Sequence, residues 1–178
     1  MTIDEFIALM EDKSPPVPED ELAAFEAEIG AELPVTYRQF LARSNGGYIR
    51  GWYRFKGPTP EGRSPSAFVS DVGGLRDDPN LSLRFARGCY LAAPELQDES
   101  ENKIPAALLW IIGDPGGNGI CLGLMGSYRG RVYFWIHDEP PAEEQWDGTV
   151  ESAANIILLA NSFTDFIAGI GPKDRSEQ

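Results

Sequence analysis

Apolar residues recur at helical spacing in the N-terminal part of the chain and then give way to short alternating runs. The helical spacing covers residues 3–10, 22–29 and 33–41, and it predicts three amphipathic helices. Thr2 followed by Glu5 predicts a capping box at the start of the first helix. SPPVP separates the first two helices, Pro18 suits the first residue of the second, and Gly30 is typical of its end.

The middle of the chain predicts a sheet. Strands are expected at residues 48–55, 68–72, 89–92, 107–112, 119–124 and 132–137. The connections GDPGGN and GSYRGR have the composition of hairpin turns, which join antiparallel strands. Residues 156–159 predict a short buried strand. The helix that follows has a second predicted capping box at Ser162 and Asp165 and ends at Gly171-Pro172.

This order of helices, strands and a final helix favours an α+β fold. N-terminal helices would pack on a mixed, largely antiparallel sheet, with a C-terminal helix. The length of 178 residues predicts a single domain over residues 1–171 and a frayed tail over residues 172–178. The motif Asn45-Gly46-Gly47 is predicted to be the C-cap of the third helix, with at least one residue at positive φ, leading directly into a strand.

The net charge of −13 limits the classes of partner. A field of this sign repels nucleic acid and anionic membranes, and it would steer a basic protein towards the chain. The alternative is that the acidity serves only solubility. The N-terminus lacks the basic region of a signal peptide, so a cytoplasmic protein is expected. Cys89 and Cys121 lie in apolar runs and are predicted to be buried free thiols.

The candidate catalytic chemistry is sparse. His137 is the single histidine, and it lies beside Asp138 and Glu139, where it could act as a general base or remain an ordinary surface residue. The glycines of GDPGGNG fit neither the dinucleotide-binding spacing nor a P-loop, and a hairpin turn explains them. The sequence therefore predicts a protein that is not an enzyme and that has no cofactor and no bound metal.

Four segments, in this order, resemble the SUKH superfamily of the Smi/Knr type. The first, FEAEIGAELPVTYRQFLARSNGG, carries Leu33-Pro34, Phe40-Leu41 and Asn45-Gly46-Gly47 at the family's spacing. The others are IIGDPGGNGICLGL, which is similar to the family's Gly-Asp turn between two strands, then RVYFWIHDE and ANSFTDFIAGI. The resemblance runs discontinuously over residues 22–170. The insert at residues 57–66 departs from the family's sequence pattern, so the region around Asp71 cannot be matched to that pattern in detail.

The resemblance implies a fold and a function. Bacterial members act largely as immunity proteins that bind and neutralise a cognate toxin domain, often a nuclease, in polymorphic or contact-dependent systems. Fungal relatives imply the alternative of a regulatory or scaffold protein connected with cell-wall synthesis. The expected partner is a basic toxin domain, with no direct contact to nucleic acid or membrane. The sequence does not define the oligomeric state.

A candidate partner-binding surface combines aromatic and acidic residues, because a partly exposed Trp flanked by charge is a common interface anchor. Its members are Tyr48, Trp52, Asp114, Asp138, Glu139, Glu143, Glu144 and Trp146. Asp114 would either cap its own turn or line the partner pocket. The acidic run HDEPPAEEQWDG would be a solvated loop or a negative rim that meets the toxin. The acidic helix at residues 19–28 could play the same part.

Overall fold

The computed structural model of the chain describes residues 1–63, 65–91, 103–139 and 146–173. Within these ranges it contains five α-helices and an eight-stranded antiparallel sheet. The helices are α1 (Ile3–Leu9), α2 (Glu19–Ile29), α3 (Val35–Leu41), α4 (Leu83–Tyr90) and α5 (Phe163–Gly169). The strands are β1 (Met10–Glu11), β2 (Gly47–Phe55), β3 (Phe68–Val72), β4 (Leu108–Gly113), β5 (Gly119–Gly123), β6 (Val132–Trp135), β7 (Ile156–Ala160) and β8 (Ile170–Pro172). The predicted α+β class is confirmed.

The sheet follows the order of the chain. Strands β1 to β7 are neighbours in sequence order, and β8 pairs with the C-terminal half of β2. Every described pair of strands is antiparallel, in agreement with the largely antiparallel sheet that the sequence predicts. Every residue of β4, β5 and β6 is buried. Because alternate side chains of a strand point to opposite faces, both faces of the central sheet are covered.

The helical layer is held together by aromatic side chains. Phe40 of α3 lies 6.1 Å from Phe6 of α1 and 5.5 Å from Phe163 of α5, measured between ring centroids. Phe166, one turn further along α5, stacks on Phe55 of β2 at 5.6 Å. These four Phe side chains of the helices are almost fully buried. They join the N-terminal helices to the C-terminal helix and the sheet, as the helical periodicity requires.

The predicted starts of α1 and α5 and the predicted end of α2 lie at the expected residues, with one difference in the cap of α5. Thr2 and Glu5 form the reciprocal capping box, and Gly30 ends α2 in the left-handed region at φ +67°. Ser162 caps α5 by accepting the backbone N–H of Asp165. The Asp165 carboxylate accepts a hydrogen bond from the Ser162 hydroxyl, whereas in a full capping box it would accept one from the Ser162 backbone N–H. The second predicted box is therefore only half formed.

Three predictions for the segments around α4 and α5 are wrong. The strand expected at residues 89–92 is absent from residues 89–91, because Cys89 and Tyr90 form the last turn of α4 and Leu91 is its C-cap. Residue 92 lies outside the described residues. Cys89 is exposed, whereas Cys121 is buried as expected. Residues 170–172 do not end a helix: α5 stops at Gly169, and Ile170–Pro172 continues as β8 along β2.

The Asn45-Gly46-Gly47 motif is a joint between two loops and not a helix cap. Helix α3 ends at Leu41, and Ala42 is its C-cap. Asn45 is buried, and its side-chain amide donates to the Leu75 carbonyl at 3.0 Å while its Oδ1 accepts the Leu75 N–H at 2.6 Å. Gly46 has φ +70°, as predicted. The joint fixes the loop after β3, which leads to α4 and to the cleft described next.

Candidate functional site

A cleft of about 280 Å³ lies where the sheet meets α4. Four regions form it: β2 and β3 with the end of β4, the β4–β5 turn, the turn that precedes α4, and α4 itself. The lining residues are Tyr48, Asp71, Pro79, Asn80, Phe85, Ala86, Tyr90, Trp110, Gly113, Asp114, Gly117 and Asn118. Concave sites with a few polar groups among aromatic side chains are the usual form of a binding site.

Asp71 is the central carboxylate of the cleft. In the sheet it pairs with Tyr48 on one side and Gly113 on the other. Its Oδ2 accepts the Ser70 hydroxyl at 2.9 Å. Burial raises the pKa of Asp71, and the nearby carboxylates Asp114 and Asp78 raise it further, against the opposing effect of the Ser70 hydrogen bond. Among the described residues, no Lys or Arg forms an ion pair with Asp71.

Asp114 caps its own turn, as one of its two alternatives predicts, and it also lines the cleft. It is 7% exposed, and its Oδ1 accepts the backbone N–H groups of Gly116 and Asn118, each at 2.8 Å. Its Oδ2 accepts the Asn118 side-chain amide at 3.1 Å. These bonds hold the β4–β5 turn as an Asx-type turn. The same carboxylate lines the cleft, so the turn places a fixed negative charge beside Asp71.

Two exposed aromatic side chains border the cleft. Tyr48 on β2 is 37% exposed and Phe85 on α4 is 54% exposed. Burial, followed by the charges of Asp78 and Asp71, raises the pKa of the Tyr48 hydroxyl. Phe85 is held at the start of α4, where the side chain of Ser82 accepts its backbone N–H. Exposed aromatic rings beside a carboxylate suit a ligand that is both planar and positively charged.

The positive charge of Arg76 acts on the Tyr48 hydroxyl, but Arg76 already has carboxylate partners. Its guanidinium donates to the Asp12 carbonyl at 2.7 Å and to the Asp12 carboxylate at 3.2 Å. It also lies 3.9 Å from the carboxylate of Asp78. The cleft therefore remains negatively charged, because the charge of Arg76 is already neutralised by Asp12 and Asp78.

Of the six candidate residues that the structure describes, two line the cleft, namely Tyr48 and Asp114. Trp52 is 62% exposed and lies in a separate shallow groove, where its ring meets Phe68 at 5.8 Å. Trp146 is partly buried against the core, and its indole N–H donates to the Thr149 carbonyl at 3.3 Å. Asp138 and Glu139 are exposed residues after β6. Glu143 and Glu144 lie outside the described residues.

The acidic helix α2 is neutralised by neighbouring arginines. Arg38 of α3 donates to Glu19 at 2.6 Å and to Glu26 at 3.2 Å. Arg84 of α4 donates to Glu28 at 2.8 Å and lies 3.6 Å from Glu21. This helix is therefore a weaker candidate for meeting a basic partner than its sequence suggests.

His137 is joined to the turn beside the cleft. Its backbone N–H donates to Asn118 Oδ1 at 3.1 Å, and its Nε2 lies 2.9 Å from the Asp138 carboxylate. Within the ranges that the structure describes, no three His, Cys, Asp or Glu side chains are grouped so that they could hold a metal ion. None of the described helices is long and apolar enough to cross a membrane.

Comparison with known proteins decides the family. The SMI1 / KNR4 family (SUKH-1) matches residues 16–169, which is most of the chain. The chain belongs to the SMI1/KNR4 family. It is also similar to the SPbeta prophage-derived uncharacterized protein YokK of Bacillus subtilis (strain 168). The two are 24% identical over 161 residues, which cover 83% of this chain and 71% of YokK. The predicted resemblance is confirmed, and the family includes toxin immunity proteins.

Several cleft residues of this SMI1/KNR4 protein were not expected as site residues. Asp71 carries a detectable signal, since it is the one charged residue in the strand FVSDV. Phe85 carries another: Ser82 is a good N-cap, and the helix after it is strongly amphipathic, so an exposed Phe on it is unusual. Trp110 and Tyr90 gave no such signal, because only the packing of α4 on the sheet brings them into the cleft with Asp71 and Phe85.

Proposed function

We propose that the protein is a non-catalytic immunity protein that binds and neutralises a cognate toxin domain. The observation that carries the proposal is the match to the SMI1/KNR4 family over residues 16–169, because this family includes toxin immunity proteins. A stoichiometric inhibitor needs a complementary surface and no reactive group. The proposed cellular location is the cytoplasm, where an immunity protein would meet the incoming toxin.

The charge distribution supports a basic toxin domain as the partner. The net charge of −13 accelerates the encounter with a basic protein by electrostatic steering. The cleft adds a local feature, since Asp71 and Asp114 lie together beside exposed Tyr48 and Phe85. Tyr is among the residues enriched at the centre of protein interfaces, and a carboxylate without a cation can pair with a basic residue of the partner. A nuclease, whose own ligand is anionic, is the toxin class that such a surface would suit.

The test is rescue from toxicity in a laboratory bacterium. The toxin domain encoded beside this gene is expressed with the protein, with an unrelated acidic protein, or alone, and surviving colonies are counted. Survival only with this protein supports the proposal. Death in all three cultures, while the purified toxin domain and this protein fail to form a complex, would contradict it and favour the regulatory or scaffold alternative.

Two matched variants separate the cleft from the acidic segment after β6. Asp71→Asn and Glu139→Gln remove one negative charge each, the first inside the cleft and the second outside it. If the cleft is the contact surface, Asp71→Asn weakens rescue and complex formation while Glu139→Gln leaves both nearly unchanged. The reverse result would place the contact at the acidic segment after β6, which the sequence also allows.

A further inference from the structure

We propose that the cleft receives one arginine side chain of the partner, with the guanidinium group bound by Asp71 between the exposed rings of Tyr48 and Phe85. This inference rests on the proposed function for the identity of the partner. The chemistry of the site is independent of that identity, because it follows from the cleft itself. It names the part of the toxin surface that the protein recognises.

The first argument is the uncompensated charge. Most acidic residues of α2 pair with Arg38 or Arg84 within the chain. Asp71 differs, because in the described part of the chain its one hydrogen-bond donor is the Ser70 hydroxyl. The charged neighbours that act on it are the carboxylates Asp114 and Asp78. A half-buried carboxylate among other carboxylates gains from a cation supplied from outside.

The second argument is size. At about 280 Å³ the cleft lies just below the range of roughly 300–1,000 Å³ that is usual for small-molecule and cofactor sites. A single side chain from another protein suits this volume better than a nucleotide or a flavin. The cleft is also open to solvent along Tyr48 and Phe85, so a protruding side chain can enter without a movement of the backbone.

The third argument distinguishes arginine from lysine. A guanidinium is planar, stacks on aromatic faces and presents five N–H donors, whereas an ammonium is compact and strongly hydrated. The cleft offers both complements: two exposed aromatic rings, and acceptor oxygens on Asp71 and on the Asn80 side chain. Stacking and bidentate donation to one carboxylate can occur together only for a guanidinium.

The test uses an arginine fragment in place of the unidentified toxin. The ¹⁵N-labelled protein is titrated with N-acetyl-arginine methylamide, and backbone amide shifts are followed by NMR. The matched probes are the lysine amide and the citrulline amide, the latter being a neutral isostere of arginine. We expect saturable shifts concentrated at Gly113, Gly117 and Asn118, weaker with the lysine probe and absent with the citrulline probe.

Protein variants make the test specific. We expect Asp71→Asn to bind the arginine probe at least about tenfold more weakly, because a hydrogen bond to a charged group contributes more than a decade of affinity. Phe85→Ala should also weaken binding, whereas Glu139→Gln should bind like the wild type. Equal shifts with the citrulline probe, unchanged binding by Asp71→Asn, or no saturable shift at any soluble concentration would each overturn the inference.

The failure of this inference is distinguishable from failure of the proposed function. If the arginine probe does not bind but the protein still rescues cells from the toxin, immunity stands and its contact surface lies elsewhere. If the probe binds as expected but no toxin is neutralised, the cleft recognises an arginine of a different class of partner. A backbone amide spectrum of each variant that matches the wild type outside the cleft excludes misfolding as the cause.

Discussion

Replacing Asn45 with alanine tests whether the Asn-Gly-Gly motif is a structural joint. The Asn45 amide supplies both partners of the Leu75 backbone, at 3.0 and 2.6 Å, in a site where Asn45 is almost fully buried. Alanine leaves one N–H donor and one carbonyl acceptor of Leu75 without partners. Each buried unsatisfied group costs about 1–3 kcal/mol, so Asn45→Ala should lower the free energy of unfolding by about 3 kcal/mol.

Equilibrium unfolding in urea, followed by tryptophan fluorescence, measures this loss. With a slope of about 2 kcal/mol per molar urea, a loss of 3 kcal/mol lowers the unfolding midpoint by about 1.5 M. Asn80→Ala is the matched control, since Asn80 is exposed in the segment after β3 that also contains Leu75, and its substitution should change stability by less than about 0.5 kcal/mol. A loss no larger than that control would refute the role of Asn45 as the joint.

Three further measurements follow from single sites. The pKa of Asp71 is raised in the folded state, so the free energy of unfolding of the wild type falls as the pH rises from the unfolded-state pKa of about 4 to the higher folded-state pKa. Asp71→Asn should therefore be the more stable form at pH 7 in thermal unfolding. This advantage should be gone below about pH 3, where the carboxyl group is protonated in both states. Gly46→Ala should destabilise the protein more than Gly30→Ala, because a Cβ at Gly46 would lie 2.8 Å from a backbone carbonyl of β3, whereas Gly30 has open space around it. Gly30→Ala should cost only about 1–2 kcal/mol, the strain of a non-glycine residue in the left-handed region. In the native protein a thiol reagent should modify exposed Cys89 quickly, and buried Cys121 only at the rate of unfolding.

The sequence predicted the antiparallel meander well because its signals are local. Strand β3 was expected at residues 68–72 and lies there, between segments rich in Gly and Pro. The hairpin between β4 and β5 was expected from GDPGGN, and Asp114 holds that turn through three hydrogen bonds. Alternating apolar residues and turn chemistry act within a few residues, so the sequence contains the whole signal.

The cleft could not be predicted in the same way, because long-range packing creates it. The run GCYLAA is short and apolar, which fits either a strand or the end of a helix, and the packing of α4 against β4 decides for the helix. This helix places Phe85 in the same cleft as Asp71, although the two residues belong to different secondary-structure elements. Strand β8 escaped prediction for a similar reason, since three residues gain their strand character only by pairing with β2.

Charge composition alone also does not show which acidic residues the fold leaves without a cation. The acidic helix α2 is the densest acidic stretch among the described residues, yet Arg38 and Arg84 neutralise most of it within the fold. Asp71 contributes one charge to a total of −13, but its charge is half-buried, surrounded by carboxylates and lacks a cation in the described chain. Holding such a group ionised costs stability, and a perturbed carboxylate in a cleft is a candidate functional residue. The interface is therefore to be sought where the chain leaves a negative charge uncompensated, and not where negative charges are most numerous.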